Sequence, residues 1–326
     1  MPNPQISFLD YNDIRDKVVS ILGSGTGPRG YGQTPRSSAV SSGEIIAKEQ
    51  WDNLQYDIVN IKVHQDGVPP TIATVTPLDV IRKGITYPNT NYDAIIEGAI
   101  LNRFNIGSGR SVVTTPTITG QTSLGTISRT GSWGGGSTGK STCELTVSFT
   151  GANDTEKANN ARYFFNSGGK IRFTSTRSGG TPASAQNNSW TNLLTTAGTQ
   201  YFGASGSSSV TYYYLTNVYQ TFYQVSASSS YASNNYKIEA KCDVSNNALG
   251  TAKTVTFRIT WTDGYVDPDT LNPGYPNPVT IHPPGDVVDG TLSLTVEEFK
   301  ATGPLAPSGT FTINSPTYSI SAITVS

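Results

Sequence analysis

Chemically reactive side chains are scarce in this chain. Cysteine and histidine occur twice each and methionine once, and Asp, Glu, Lys and Arg together make up 14% of the residues. An average soluble protein carries roughly 25% charge. Two cysteines and two histidines cannot complete a four-ligand zinc site without carboxylates. Neither His64 nor His282 stands near a Ser or Cys nucleophile with a recognisable local signature. With 22 basic against 23 acidic residues the net charge is −1, so nucleic acid has no electrostatic footprint to meet. No apolar run approaches the roughly 18 residues of a membrane span. The opening MPNPQISFLD also lacks the basic and apolar regions of a signal peptide. The expectation is a protein with no catalytic residue, no cofactor, no metal, no nucleic-acid partner and no membrane.

Glycine (33 residues), serine, threonine and aromatics (10%) fill the space that charge leaves. A chain of 326 residues buries about three quarters of its unfolded surface, enough for one large or two ordinary domains. Sparse charge with many Tyr, Ser and Gly suits a surface covered by neighbours. An assembly protein is favoured over an enzyme.

Residues 153–175 read as the hinge of the fold. Asn153 can cap a helix and Glu156 can close a capping box. Ala158, Ala161, Arg162 and Phe165 follow at helical spacing, and Gly168-Gly169 stops the run. The period then changes to two, with Ile171 and Phe173 on one face and Lys170, Arg172 and Thr174 on the other.

Residues 1–109 read as a small helical attachment region. Asp10 can cap a helix carrying Ile14, Val18, Ile21 and Leu22, ended by Gly23. A second runs from about Lys48 to His64, where Trp51, Leu54 and Ile58 begin a near-heptad seam able to pack on the first as a hairpin. Residues 76–84 and a segment from Asn91 suggest two more. Such short stripes make a small core, so Trp51, Leu54 and Ile58 are candidate interface residues.

Residues 110–326 read as mainly β. About ten short alternating runs, among them CELTVSF, YYYLT, TFYQV, YKIEAKCDV, TVTFRITW, TLSLTVEEF and TFTIN, argue for an antiparallel β-sandwich with helical insertions. One insertion is a helix capped by Ser189 and holding Trp190, Leu193 and Leu194. Val147, Phe173, Ile238 and Phe257 should share the core, with Phe165 beneath. Cys143 and Cys242 fall on inward parity and read as buried thiols, a disulfide being the alternative. Between Asp263 and Gly290 lie six prolines and five aspartates, a density that forbids helix and central strand.

Several motifs match by letter alone. Residues 134–141, GGGSTGKS, fit the phosphate-loop expression, but an alternating β run follows where a helix is required. GSGTG at 23–27 follows a helix and does not open one. His64 falls in a last helical turn, where the dipole favours a cation. Asp263, Asp267 and Asp269 miss the calcium-loop spacing. Adjacent Glu297 and Glu298 point to opposite faces. Asn153 and Asn187 head short glycosylation sequons. The remaining candidates are tyrosines, clustered at 212–214, 219 and 223, since exposed tyrosines stack on sugars or anchor interfaces. Tyr213, Tyr223, Tyr265 and Tyr275 join the candidate interface.

The series Tyr11-Asn12-Asp13-Ile14, residues 23–27, Tyr31-Gly32-Gln33, Trp51-Asp52-Asn53-Leu54 and His64-Gln65 resembles virion structural proteins of T4-like cyanophages and related myophages. ARYFFNSGGKIRF at 161–173, followed by Trp190, is similar to the same group. The resemblance implies a non-enzymatic component of a tailed-phage particle at its neck, tail or baseplate. It would assemble in the host cytoplasm as a multi-copy oligomer docked on other virion proteins. A receptor- or carbohydrate-binding module that meets a host-surface glycan is the alternative.

Overall fold

The structure, a computed structural model, describes residues 6–72, 91–119, 125–133, 139–181, 185–206, 208–265, 270–272, 279–281 and 288–326. Three helices come first: α1 (Phe8–Leu22), α2 (Lys48–Asp66) and α3 (Tyr92–Leu101). Strands β1 (Ser111–Thr114), β2 (Ile118–Thr119), β3 (Thr126–Thr130) and β4 (Gly139–Ser148) lead into α4 (Asp154–Asn166). Next come β5 (Lys170–Ser178), α5 (Ala185–Ala197), β6 (Thr199–Gly203), β7 (Gln220–Ser226), β8 (Asn235–Cys242) and β9 (Thr254–Asp263). The chain continues through β10 (Thr270–Asn272), β11 (Val279–Ile281), β12 (Thr291–Ala301), β13 (Thr317–Ile320) and β14 (Thr324–Val325). Helix and strand are present in comparable amounts, so the chain is mixed α/β and not mainly β.

Two open sheets carry all the described strands except the β10–β11 pair. The five-stranded sheet runs β1-β12-β5-β6, with β3 also on β12; the seven-stranded sheet runs β2-β13-β4-β9-β8-β7, with β14 also on β4. Every pairing is antiparallel except β2 with β13. The alternating pattern sends one face of each sheet inward, and there Phe173 meets Phe257 at 4.8 Å between ring centroids. Phe202 meets Phe257 at 4.9 Å and Phe222 at 5.5 Å. Val147, Phe173, Ile238 and Phe257 are all fully buried. Phe165 lies in the same core, stacked on Tyr212 at 4.3 Å. Cys143 and Cys242 are buried free thiols; burial pushes both pKa values up and keeps them unreactive.

The hinge forms as its residues dictate. Asn153 Oδ1 accepts from the Glu156 amide at 3.0 Å, and the Glu156 carboxylate accepts from the Ala152 amide at 2.8 Å. Gly168 takes φ +85°, and a Cβ there would strike Ile106 and the Phe104 carbonyl. At the N-terminus the cap is Ser7, not Asp10. The Ser7 hydroxyl accepts from the Asp10 amide while the Asp10 carboxylate accepts from the Ser7 amide, making Asp10 the far member of a capping box.

Helices α1 and α2 pack, but not as a hairpin. Tyr11 near the start of α1 touches Trp51 near the start of α2. At the other end, Tyr31 bonds the Ile21 carbonyl through its amide and Gln65 through its hydroxyl. The two helices run in the same sense, and the loop between them returns past Tyr11 and Asn12. Their buried residues join one continuous cluster with the sheet interior.

Several expected elements differ. Tyr212–Tyr214 is a turn of 3-10 helix, because Tyr212 is drawn into the core to donate to the Ala252 carbonyl at 3.0 Å. Residues 310–314 make a single bridge, Thr310 to Pro304. Gln33 takes a strand partner's place there, bonding the carbonyl and amide of Thr312 at 2.9 and 3.1 Å. Helix α5 starts a turn before Ser189, and β6 escaped notice because its five residues show no alternation. In the proline-rich segment β10 and β11 pair with each other. The suggested helix at 76–84 lies outside the described residues.

Candidate functional site

Helix α4 presents Arg162 and Asn166 four residues apart on its buried face. Both reach into the glycine-rich loop that follows α1. Arg162 Nη2 donates to the Ser24 carbonyl at 3.1 Å and to Asn159 Oδ1 at 2.9 Å, with the carbonyls of Gly25, Gly27 and Arg29 at 3.5 Å. No carboxylate among the described residues pairs with it. The charge is solvated by carbonyls at the C-terminal end of α1, where the helix dipole favours a cation. Asn166 Nδ2 donates to the carbonyls of Gly27, Arg29 and Gly30 at 2.9–3.2 Å. Tyr213 donates to Gly27 O at 2.8 Å and to Asn166 Oδ1. Gly32, at φ +69°, lies against the Tyr163 ring, which any Cβ would hit.

The polarity of this loop is opposite to a nucleotide cradle. A phosphate loop turns amides toward its ligand, whereas 24–30 turn carbonyls toward a guanidinium. The other look-alike ends in strand: residues 139–141 open β4 and pair with β9, while 134–138 lie outside the described residues.

His64 belongs to the same joint and is not the dipole-paired cation its position suggested. It is fully buried, with Nε2 3.0 Å from the Ser167 carbonyl. The ring stacks on Phe311 at 4.5 Å and meets the edge of Tyr31 at 4.8 Å. Nδ1 has no partner. Burial pushes the imidazole pKa down to about 4, so the ring is neutral at pH 7 and Nε2–H donates to the carbonyl.

Trp51, Leu54 and Ile58 are buried among α1, α2 and α3, closed to a partner because the chain's own helices cover the seam. Tyr213 is spent inside the joint. Tyr223 is half-buried near Tyr236, and Tyr265 packs on Tyr231 at 4.6 Å. Tyr275, His282, Asp267 and Asp269 lie outside the described residues. Asp263 is buried and bonds Gln186, and no group of three or more metal-ligating side chains occurs among the described residues. Glu297 meets Arg172 at 3.3 Å on the outer face, while Glu298 is buried and accepts from Tyr318 at 3.1 Å. Neither sequon asparagine is free: Asn153 caps α4, and Asn187 is buried against Asp289 at 2.7 Å.

Two outward tyrosines differ in availability. Tyr219 is locked, its hydroxyl on Glu144 at 2.6 Å and its ring between Lys241 and Arg258. Tyr201, on β6, is 45% exposed beside Arg172. Comparison of the chain with protein-family models, curated proteins and solved structures finds no match in any of the three.

Proposed function

We propose that the chain is a non-enzymatic structural component of a tailed-phage virion, at its neck, tail or baseplate, assembled in many copies and docked on other virion proteins. One observation carries this reading. The two stretches that bear the virion-protein resemblance lie 133 to 139 residues apart, yet Arg162 and Asn166 bond directly to loop 24–30. Those motifs are used to hold the chain together, and the side chains they bring to the joint bond the chain's own carbonyls. What the resemblance shares is then an architecture: two sheets closed on each other as an antiparallel β-sandwich with helical insertions, locked to a helical unit. For attachment, the exposed apolar side chains Leu9, Ile45, Val68 and Leu101 replace Trp51, Leu54 and Ile58.

The copies meet at the edges of the sheets. Among the described residues, strand β6 (TQYFG) and strand β7 (QTFYQVS) are the last of their sheets, with no proline and no charged residue. They lie side by side through Phe202 and Phe222. Natural edges are usually blunted by Lys, Pro or a bulge. Strand β7 carries a bulge between Thr221 and Tyr223, so β6 is the better seam. Light scattering on the purified full chain should give an oligomer, and Tyr201→Lys, which puts a charge on that edge, should shift it to monomer. A monomer at every concentration, or an oligomer that ignores Tyr201→Lys, would contradict this contact.

A further inference from the structure

Between α5 and the turn from β7 to β8 lies a cleft of about 470 Å³, within the size range of small-molecule sites. Asn188, Asn192 and Thr196 rise from one face of α5 and look across at Ser228, Ser229 and Tyr231. Leu193 and Val225 also line it, and none of the lining residues is Asp, Glu, Lys or Arg. Among the described residues, the side chains of Asn188, Asn192, Thr196, Ser228 and Ser229 make no hydrogen bond within the protein, so their donors and acceptors are open to a ligand. Tyr231 is braced by Tyr265 at 4.6 Å and offers a fixed aromatic ring to the cleft.

Ser229 adds a second mark. It holds φ +57° and is the one non-glycine residue with positive φ among those described. Serine is strained in this conformation and glycine is not. What serine supplies there is a hydroxyl at the cleft wall, and strain of this kind gathers at ligand sites.

We propose that this cleft binds a neutral saccharide of one or two pyranose units. Amides and hydroxyls suit a ligand rich in hydroxyl groups, and the Tyr231 ring suits the apolar face of a sugar. A charged ligand would lose its hydration with no counter-charge to replace it. The proposal does not depend on the virion reading and holds equally for a chain outside a particle.

The test uses the full-length chain with maltose, cellobiose, lactose, mannobiose and diacetylchitobiose, and sialyllactose as the charged control. Binding is followed by saturation-transfer NMR and calorimetry. At least one neutral sugar should bind, with affinity unchanged between about 0.05 and 0.5 M salt. The exposed Asn192→Ala and the ring-removing Tyr231→Ala should each weaken it about tenfold or more. Ser229→Gly should raise Tm while weakening binding, a split that a merely structural serine would not show. Failure of every neutral sugar, binding confined to sialyllactose, or affinity untouched by Asn192→Ala and Tyr231→Ala would each overturn the assignment.

Discussion

Acid should loosen this fold through His64, by an amount the geometry sets. The ring is sealed between Phe311 and Tyr31, its Nδ1 has no acceptor, and Arg110 adds a positive field. Burial first, and Arg110 to a smaller degree, hold the native pKa near about 4 against an ordinary 6.5. Above pH 6.5 the ring is neutral in both folded and unfolded chains and contributes no pH dependence. Below 6.5 the unfolded chain takes up the proton and the native chain does not, so stability falls with pH until about 4, where the native ring also titrates. At 1.36 kcal/mol per unit, acidification from about pH 7.5 to about 4.5 removes about 2.5 kcal/mol through this residue. Urea melts of wild type and His64→Gln at the two pH values isolate it, since His282 and the carboxylates are common to both. The variant loses the stacking and starts less stable, but its drop on acidification should be smaller by about 2–3 kcal/mol. Parallel pH profiles would refute the sealed, neutral ring.

Phe173→Ala should cost about 3–5 kcal/mol in denaturant melts, because Phe173 closes on Phe257 between the sheets; a loss below about 1 kcal/mol would mean the ring is not in the core. Arg162→Ala should cost at least ~2 kcal/mol by stripping the loop carbonyls of their donor, and limited proteolysis should then cut at 24–30 first. Removal of residues 1–65 should leave an aggregating chain and not a soluble sandwich, since it takes away the carbonyls that solvate Arg162 and the cover over Tyr163. Lys140→Ala should shift stability by no more than about 0.5 kcal/mol and leave ATP unbound, because the exposed lysine stands on a strand.

Local structure was legible wherever one face of an element is buried. The period-two runs of β4, β5 and β9 gave their inward residues correctly, and Gly168 ended its helix where only glycine fits a positive φ. What stayed hidden depends on partners distant in sequence. Arg162 was read as part of an apolar stripe, although a polar pair at 162 and 166 on a buried face was itself a sign of a distant acceptor. Tyr212 left its expected strand for a carbonyl 40 residues on, and Gln33 replaced a strand for Thr312. Trp51, Leu54 and Ile58 looked short of cover because the path of the chain around them, between parallel-running helices, is not written in any local period. The α5–β7 cleft draws its walls from residues 185–196 and 225–231 and has no motif at all.

The most direct test of the virion proposal is quantitative mass spectrometry of purified, nuclease-treated tailed-phage particles from lysates in which this chain is expressed, dissected into heads, necks, tails and baseplates. Tryptic peptides such as Tyr163–Lys170 should appear in one of the neck, tail or baseplate fractions at a fixed multi-copy ratio to known virion proteins. A chain abundant in infected cells but absent from particles, or present at less than one copy per particle, would contradict it.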